Sequence, residues 1–480
     1  MPVLDPKKPH QRHFEAISAI PRASTKEKAV SDYVVSVARE QGLEVRQDEL
    51  WNVVVRKPAT LGLEHAEPVM LQAHLDMVCV KSPESTHNFD TDPLELYVEN
   101  GHIRARGTTL GADDGYGVAY LLALMEDDDF PHPPLELVFT SQEENGCWGA
   151  RGLDMSDIRA RRMIGLDVME SDRENVCCVS CFCSDKMTLG REVHPVPAEG
   201  TALRLTVDGI QPIREGAQVH PELYNAIKLT ARVLSDILSA GISFRLVSMR
   251  GGEAENYNPV ACESVIVTKD PDSFRARAEQ LLKRFAQEIE DGRQSTRLAI
   301  EETDSSDMLS AEDTRAILDS ILLVPANTVT IDQRTQEMTS YCCVGMVEVD
   351  SQGFALTMSD RAKSDSYRQA IASKLGIIAR LTGCHLTIEE RYAPWTYNPD
   401  SVMLKKTAAL MKEVYGAEMI ESICPGGLEA CDFLPKIPDM DIVMFAPIGD
   451  KCHSTEEFLD LASFDRVYLF VKQLLSSLAE

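Results

Sequence analysis

At 480 residues the chain is longer than one hydrophobic core usually supports, and its 44% hydrophobic and 26% charged composition is that of a soluble globular protein of two domains. A formal charge of -28, with 48 basic against 76 acidic residues, argues against nucleic acid and against anionic membrane surfaces, since both would repel the protein at long range. The opening MPVLDPKKPHQRHF lacks a signal-peptide pattern, no run approaches the ~18 apolar residues of a spanning helix, and thirteen scattered cysteines suit free thiols in a reducing compartment. The expectation is a cytoplasmic protein without structural disulfides.

In chain order, Ser24-Thr25-Lys26-Glu27 is a capping-box pattern, and Val30, Tyr33, Val34 and Val37 follow it on one helical face, so a first helix is predicted there. Short apolar runs with strand character come next, PVMLQAHLD, PLELVFTSQEE and RRMIGLDV, with a helical stretch around Val118 to Met125 between the first two. This alternation predicts an α/β layer with a mixed, mostly parallel sheet. From about Lys186 to Ala393 the pattern changes: ELYNAIKLTARVLSDIL and FRARAEQLLKRFAQEI are helical stretches set among strand-like pieces, which predicts a separate α+β unit. DIVMFAPIGD then restores the first style as a buried strand, and SFDRVYLFVKQLLSSL reads as a C-terminal helix opened by Ser463. The expected plan is a catalytic domain in two parts, 1–186 and 394–480, interrupted by an inserted domain, 187–393.

The chemistry gathers where apolar strands give out. His74 and Asp76 end MLQAHLDM, two apart and so on one side of a pleated chain. Asp113 and Asp114 stand in the glycine-flanked loop GTTLGADDGYG ahead of a helix, Glu143 and Glu144 end LELVFTSQEE, Asp167 ends MIGLD, and His453 lies in GDKCHSTEE. In open α/β sheets functional groups collect beyond the carboxyl ends of the strands, so these fragments can meet in one crevice. Imidazole and carboxylate together suit zinc, and several carboxylates with two histidines suit a pair of ions bridged by a carboxylate.

With those residues in view, the chain resembles the aminoacyl-histidine dipeptidases, also called Xaa-His or cytosol non-specific dipeptidases, of the co-catalytic zinc peptidases. The likeness runs from FEAISAIPRAS through GTTLGADDGYGVAY and PHPPLELVFTSQEE to HSTEE. It implies a zinc-peptidase-like catalytic domain whose inserted domain is a lid. It also implies two Zn²⁺ ions, with Mn²⁺ or Co²⁺ as substitutes: one on His74 and Asp167, the other on Glu144 and His453, and Asp113 bridging. Asp76 would support His74, and Glu143 would be the general base toward a water activated by the two ions, cleaving small dipeptides. Arg361 in FALTMSDRAKSDS would take the substrate carboxylate, while Asn256 in RGGEAENYNP and Glu429 in CPGGLEAC would meet other parts of the substrate, Glu429 its free amine. A homodimer is left open.

One stretch departs from that pattern. The family's Gly-Gly-His-Ser-Gly becomes IQPIREGAQVHPELYNAIKL, with Arg214 at the position equated with that histidine; a cation there could still donate to an oxyanion, or could equally select a different acidic or carboxylate-bearing substrate. Two alternatives follow: an N-acyl amino acid deacylase using the same metals, distinguished by insensitivity to Glu429→Gln, or an inactive metal- or peptide-binding homologue. The run CCVSCFC, Cys177 to Cys183, reads as a buried strand rather than a soft-metal site.

Overall fold

The computed structural model describes residues 2–169, 171–210, 224–287, 296–331, 333, 338–424 and 426–479. The chain divides into two compact units, Met1–Cys181 with Trp395–Glu480, and Phe182–Pro394. The expected change of domain at 186/187 falls inside strand Ser184–Arg191, because the apolar run from Val176 onward carries no Gly or Pro turn signal to mark the crossing.

The first unit is built on an eight-stranded sheet. At its centre Leu135–Thr140, Val69–His74, Arg162–Gly165 and Asp441–Met444 run parallel to one another. Every residue of Val69–His74 and Leu135–Thr140 is buried, as central strands covered on both faces require. The mixture comes from the flanks. Glu44–Gln47 and Val53–Lys57 form an antiparallel hairpin on one edge, and Val176–Cys181 meets Asp441–Met444 antiparallel on the other side.

Helix Ala112–Glu126 is buried along nearly its whole length, with Tyr120 stacked on Phe464 of the C-terminal helix Leu461–Leu478 at 5.1 Å. Val30, Val34 and Val37 do face the core from helix Lys28–Glu40, but the capping box does not form. Ser24 gives its hydroxyl to Asp76 at 2.7 Å instead, and the helix begins after it. The C-terminal helix, by contrast, starts earlier than expected, at Leu461. Asp460 caps it by accepting the Ser463 N–H at 2.7 Å, which leaves the Ser463 hydroxyl to accept from the Ile448 N–H.

A small second sheet joins Gly449–Asp450, Phe458–Asp460, His102–Ala105 and Leu96–Glu99. Leu459 pairs with Ile103 and Asp460 with His102, which brings the HSTEE turn beside the chain that leads into GTTLGADD.

In the second unit a nine-stranded sheet has only antiparallel pairings among the described residues. Helices Ala226–Ser239, Pro271–Gln287, Ala311–Leu323 and Asp365–Thr382 pack on it around Leu203, Leu205, Ile227, Leu234, Phe244 and Ile317. The sequence stretch ELYNAIKLTARVLSDIL is capped inside itself, since Asn225 accepts from the N–H groups of Ile227 and Lys228. Gly252 has φ +80°, and a Cβ there would fall 1.7 Å from the Gly345 carbonyl oxygen. Only glycine allows that approach. No helix of the described residues is long and apolar enough to cross a membrane.

Candidate active site

Strand register explains which side chains meet. His74 pairs with Thr140 in the parallel neighbour, so the turn carrying Glu143 and Glu144 leaves the sheet at the same end as His74 and Asp76. Gln72 pairs with Gly165, which places Asp167, two residues on, level with His74. Helix Ala112–Glu126 delivers Asp113 in its first turn, and the small sheet carries the His453 loop.

Asp113 lies between the two imidazoles. His74 Nε2 is 3.2 Å from its Oδ1 and His453 Nε2 is 3.4 Å from its Oδ2. His453 Nε2 also stands 3.0 Å from Glu144 Oε1, and His74 Nε2 stands 3.8 Å from Asp167 Oδ1. Ligating atoms of His74, Asp113 and Glu144 lie within 4.8 Å of one another, and so do those of His74, Glu143 and Asp167.

Asp76 organises this end of the sheet. The His74 Nδ1–H points at its backbone oxygen, 3.1 Å away, and its Oδ1 is 3.4 Å from the same nitrogen. Its carboxylate also accepts the Glu143 N–H at 3.0 Å and the Glu144 N–H at 3.2 Å. With Nδ1 facing oxygens, Nε2 is the His74 nitrogen turned to the carboxylate side of the cavity, free to offer its lone pair once deprotonated. This set of two imidazole nitrogens and several carboxylates, each ring turned to an acid, fits a pair of divalent ions.

The charges are tuned by burial and by each other. Burial works against charging His74, yet the hydrogen bonds to Asp113 and Asp76 hold its pKa well above 6.5. Hydrogen bonds to Asp113 and Glu144 push His453 up to about 10. Burial likewise opposes the Asp113 carboxylate, but His453 and His74 bring its pKa below the usual range. Burial, aided by Glu144 and Asp113 and opposed by His74, pushes Glu143 up to about 7, and the Cys147 thiol donates to Glu143 Oε1 at 3.5 Å.

The two acid pairs of the sequence thus divide their work. Glu144 faces His453 while Glu143 lies with His74 and Asp167. Asp113 faces the rings while Asp114 turns into the backbone, accepting the N–H groups of His74 at 3.2 Å and Gly117 at 3.3 Å.

Glu429 is 1% exposed, and its Oε2 accepts from Gln72 Nε2 and Thr140 Oγ1, both at 2.5 Å. Its other oxygen has no hydrogen-bond partner among the described residues, and burial raises its pKa well above 4.5. Asn256 and Arg361 belong to the second unit, Asn256 exposed in the loop after strand Phe244–Gly251 and Arg361 on strand Phe354–Ala362 opposite Tyr341. Arg214 lies outside the described residues. In strand Val176–Cys181 the thiols are buried, which pushes Cys178 up to about 12.

Two residues that sequence reasoning passed over hold the loop. Glu457 accepts the N–H groups of Leu110, Gly111 and Ala112 at 2.7, 2.9 and 2.8 Å, and that of Asp113 at 3.3 Å. Arg22, fully enclosed, donates to the carbonyls of Leu75 and Asp76 at 3.0 and 2.9 Å and to that of Gly111. Both stand inside motifs quoted for the resemblance, HSTEE and FEAISAIPRAS, and that was their only signal.

The model of peptidase family M20/M25/M40 matches residues 70–477, which include His74, Asp113, Glu144, Asp167 and His453. The chain belongs to that family. Within this peptidase family it is similar to the cytosol non-specific dipeptidase of Escherichia coli (strain K12), 28% identical over 477 residues, covering 97% of this chain and 96% of the relative. Its structure is similar to that of an aminoacylhistidine dipeptidase from Vibrio alginolyticus, with TM-score 0.82 and 27% identity over 99% of this chain and 96% of that one. Aminopeptidase PepT from Bacillus cereus has a similar fold, with TM-score 0.62 and 14% identity over 100% of both chains.

Proposed function

We propose that this M20 peptidase hydrolyses dipeptides at a two-metal centre in which Asp113 is the bridging ligand. The observation that carries the reading is the pair of contacts from one carboxylate to two rings: Oδ1 at 3.2 Å from His74 and Oδ2 at 3.4 Å from His453. A group held in that way has an oxygen for each of two ions. Asp167 would complete the His74 side and Glu144 the His453 side. Zn²⁺ suits the donors, with Mn²⁺ or Co²⁺ as substitutes. When bound, the ions polarise the scissile carbonyl and lower the pKa of water.

The chain's own residues do the rest. Glu143, next to the ligand cluster yet unclaimed by a histidine partner, takes the proton from the attacking water and passes it to the leaving nitrogen. Asp76 keeps the His74 ring in the tautomer that offers Nε2, and it fixes the 143–144 turn through two backbone N–H groups. Glu429 stands in the same unit as a buried carboxyl for the substrate's free amine. Arg361 would bind the free carboxylate as a planar fork of donors, with Asn256 and Arg214 as further substrate contacts.

The test is a panel of unmodified dipeptides, X-His, β-Ala-His and X-Gly among them, beside N-acetylated amino acids, against metal-loaded protein. Cleavage of free dipeptides that a chelator abolishes and Zn²⁺, Mn²⁺ or Co²⁺ restores is the expected result. Preference for the N-acyl compounds would replace the dipeptidase reading with a deacylase. Undiminished turnover by verified metal-free protein would end both.

A further inference from the structure

Outside the ligand cluster, three thiols gather at the segment that carries Glu429, two of them on it and one on the neighbouring strand. Strands Val176–Cys181 and Ile420–Cys424 lie side by side and parallel, and Cys181 and Cys424 are register partners at their ends. Neighbouring strands stand about 4.7–4.9 Å apart, inside the roughly 4.4–6.8 Å between Cα atoms that a disulfide accepts. The Cys181 thiol donates to the Gly426 carbonyl at 2.5 Å, and the Gly426 N–H donates to Cys424 Sγ at 3.4 Å, so one peptide residue is held by both sulfurs. The thiols of Cys424 and Cys431 both lie near enough to that of Cys181 to raise its pKa, beside the dominant effect of burial. Cys424 and Cys431 thereby bracket Glu429 in sequence, with Cys181 between them in space. All three are free thiols in the structure.

We propose that Cys181 and Cys424 are a modification site, a dithiol that a hydroperoxide converts into a reversible disulfide, and that the bond resets the Glu429 segment. Exposure decides the order of events: Cys424 is partly exposed, whereas Cys181 is 1% and Cys431 0% exposed. The Cys424 sulfur attacks the peroxide, the O–O bond breaks, and a sulfenic acid forms as water or an alcohol leaves. Cys181 sulfur then attacks the sulfenic sulfur; the S–S bond forms, the S–O bond breaks, and the hydroxyl departs with the thiol proton as water. The two thiols lose two electrons to the peroxide, and an added phosphine or thiol returns them. The bond pins Cys424 to the neighbouring strand and moves the chain that sets Glu429 against Gln72 and Thr140. The chemical step stands on the thiol geometry alone, while its effect on turnover rests on the dipeptidase reading.

The experiment treats the full-length, metal-loaded protein with stoichiometric hydrogen peroxide, blocks remaining thiols with N-ethylmaleimide, and maps peptides by mass while dipeptide turnover is followed. Expected are a Cys181–Cys424 linked peptide about 2 Da lighter than its separate parts, at least a tenfold loss of turnover, and recovery with tris(carboxyethyl)phosphine. Cys424→Ser should keep basal turnover within twofold and resist peroxide. No such peptide in the wild type, a link through Cys431 instead, an unchanged rate in the linked protein, or equal inactivation of Cys424→Ser would each overturn the proposal. Absence of any basal turnover would count against the dipeptidase reading instead, and peptide mapping would still decide the disulfide.

Discussion

The two large sheets of this protein, of eight and nine strands, carry different amounts of chemistry. In the first unit, parallel strands end together, and His74, Glu143, Glu144 and Asp167 follow from where those strands stop. In the second unit the antiparallel strands bury one face, as the alternating exposure of Thr201–Asp208 records, and their ends point both ways along the sheet. A parallel arrangement concentrates functional groups at one edge; an antiparallel one spreads them. Mutations should therefore cost far more catalysis in the first sheet than in the second.

The sharpest break of that contrast is at Asp113. On the proposed reading Asp113→Ala would remove an oxygen from each ion site, so metal occupancy measured by elemental analysis should fall with turnover, by roughly 10⁴-fold or more. With Glu143 as the proposed base, Glu143→Ala should retain metal and lose about 10² to 10⁴ in kcat, since only the proton transfer would be removed. Unchanged kcat in that variant would take the base away from Glu143.

Effects in the second unit are smaller. Arg361→Ala should raise KM for dipeptides by about 10- to 100-fold, the worth of a charge-assisted hydrogen bond, and leave KM for C-terminally amidated dipeptides nearly unaltered. An equal loss on both substrates would reduce Arg361 to a structural residue.

The smallest effect is one of stability alone. Asp360 is fully buried on strand Phe354–Ala362, and burial pushes its carboxyl up to about 7 from 3.8. A raised carboxyl pKa means the folded chain holds its proton more tightly than the unfolded one. The stability this adds is complete below about pH 4 and is lost as pH rises through about 7. Asp360→Asn stays neutral throughout, so its Tm should exceed that of the wild type by about 2–4 °C at pH 8 and match it at pH 4. An equal offset at both pH values would refute the titration.

Much of the first unit was legible because strands announce themselves by short apolar runs, and acids or histidines at their ends stand out against that background. The α+β character of the second unit was legible from its helical stretches. What stayed hidden depends on contacts far along the chain. Glu457 reaches the Ala112 N–H across 345 residues, through a pairing of short strands that no local pattern signals. Ser24 looks like a helix cap from its neighbours, but Asp76, 52 residues away, competes for the hydroxyl and wins. At Ser463 the preceding Asp460 is the better-placed acceptor, and sequence spacing alone does not rank the two. The substrate residues were the least legible, since only resemblance, not a strand end, singled out Asn256, Arg361, Glu429 and Arg214.

The central claim, two ions sharing Asp113, is tested most directly by counting metal per chain at equilibrium in wild type and Asp113→Ala, with turnover followed on the same samples. Close to two ions per active wild-type chain and fewer than one in the inactive variant are expected. A wild type fully active with a single ion, or an Asp113→Ala protein that keeps both, would contradict it.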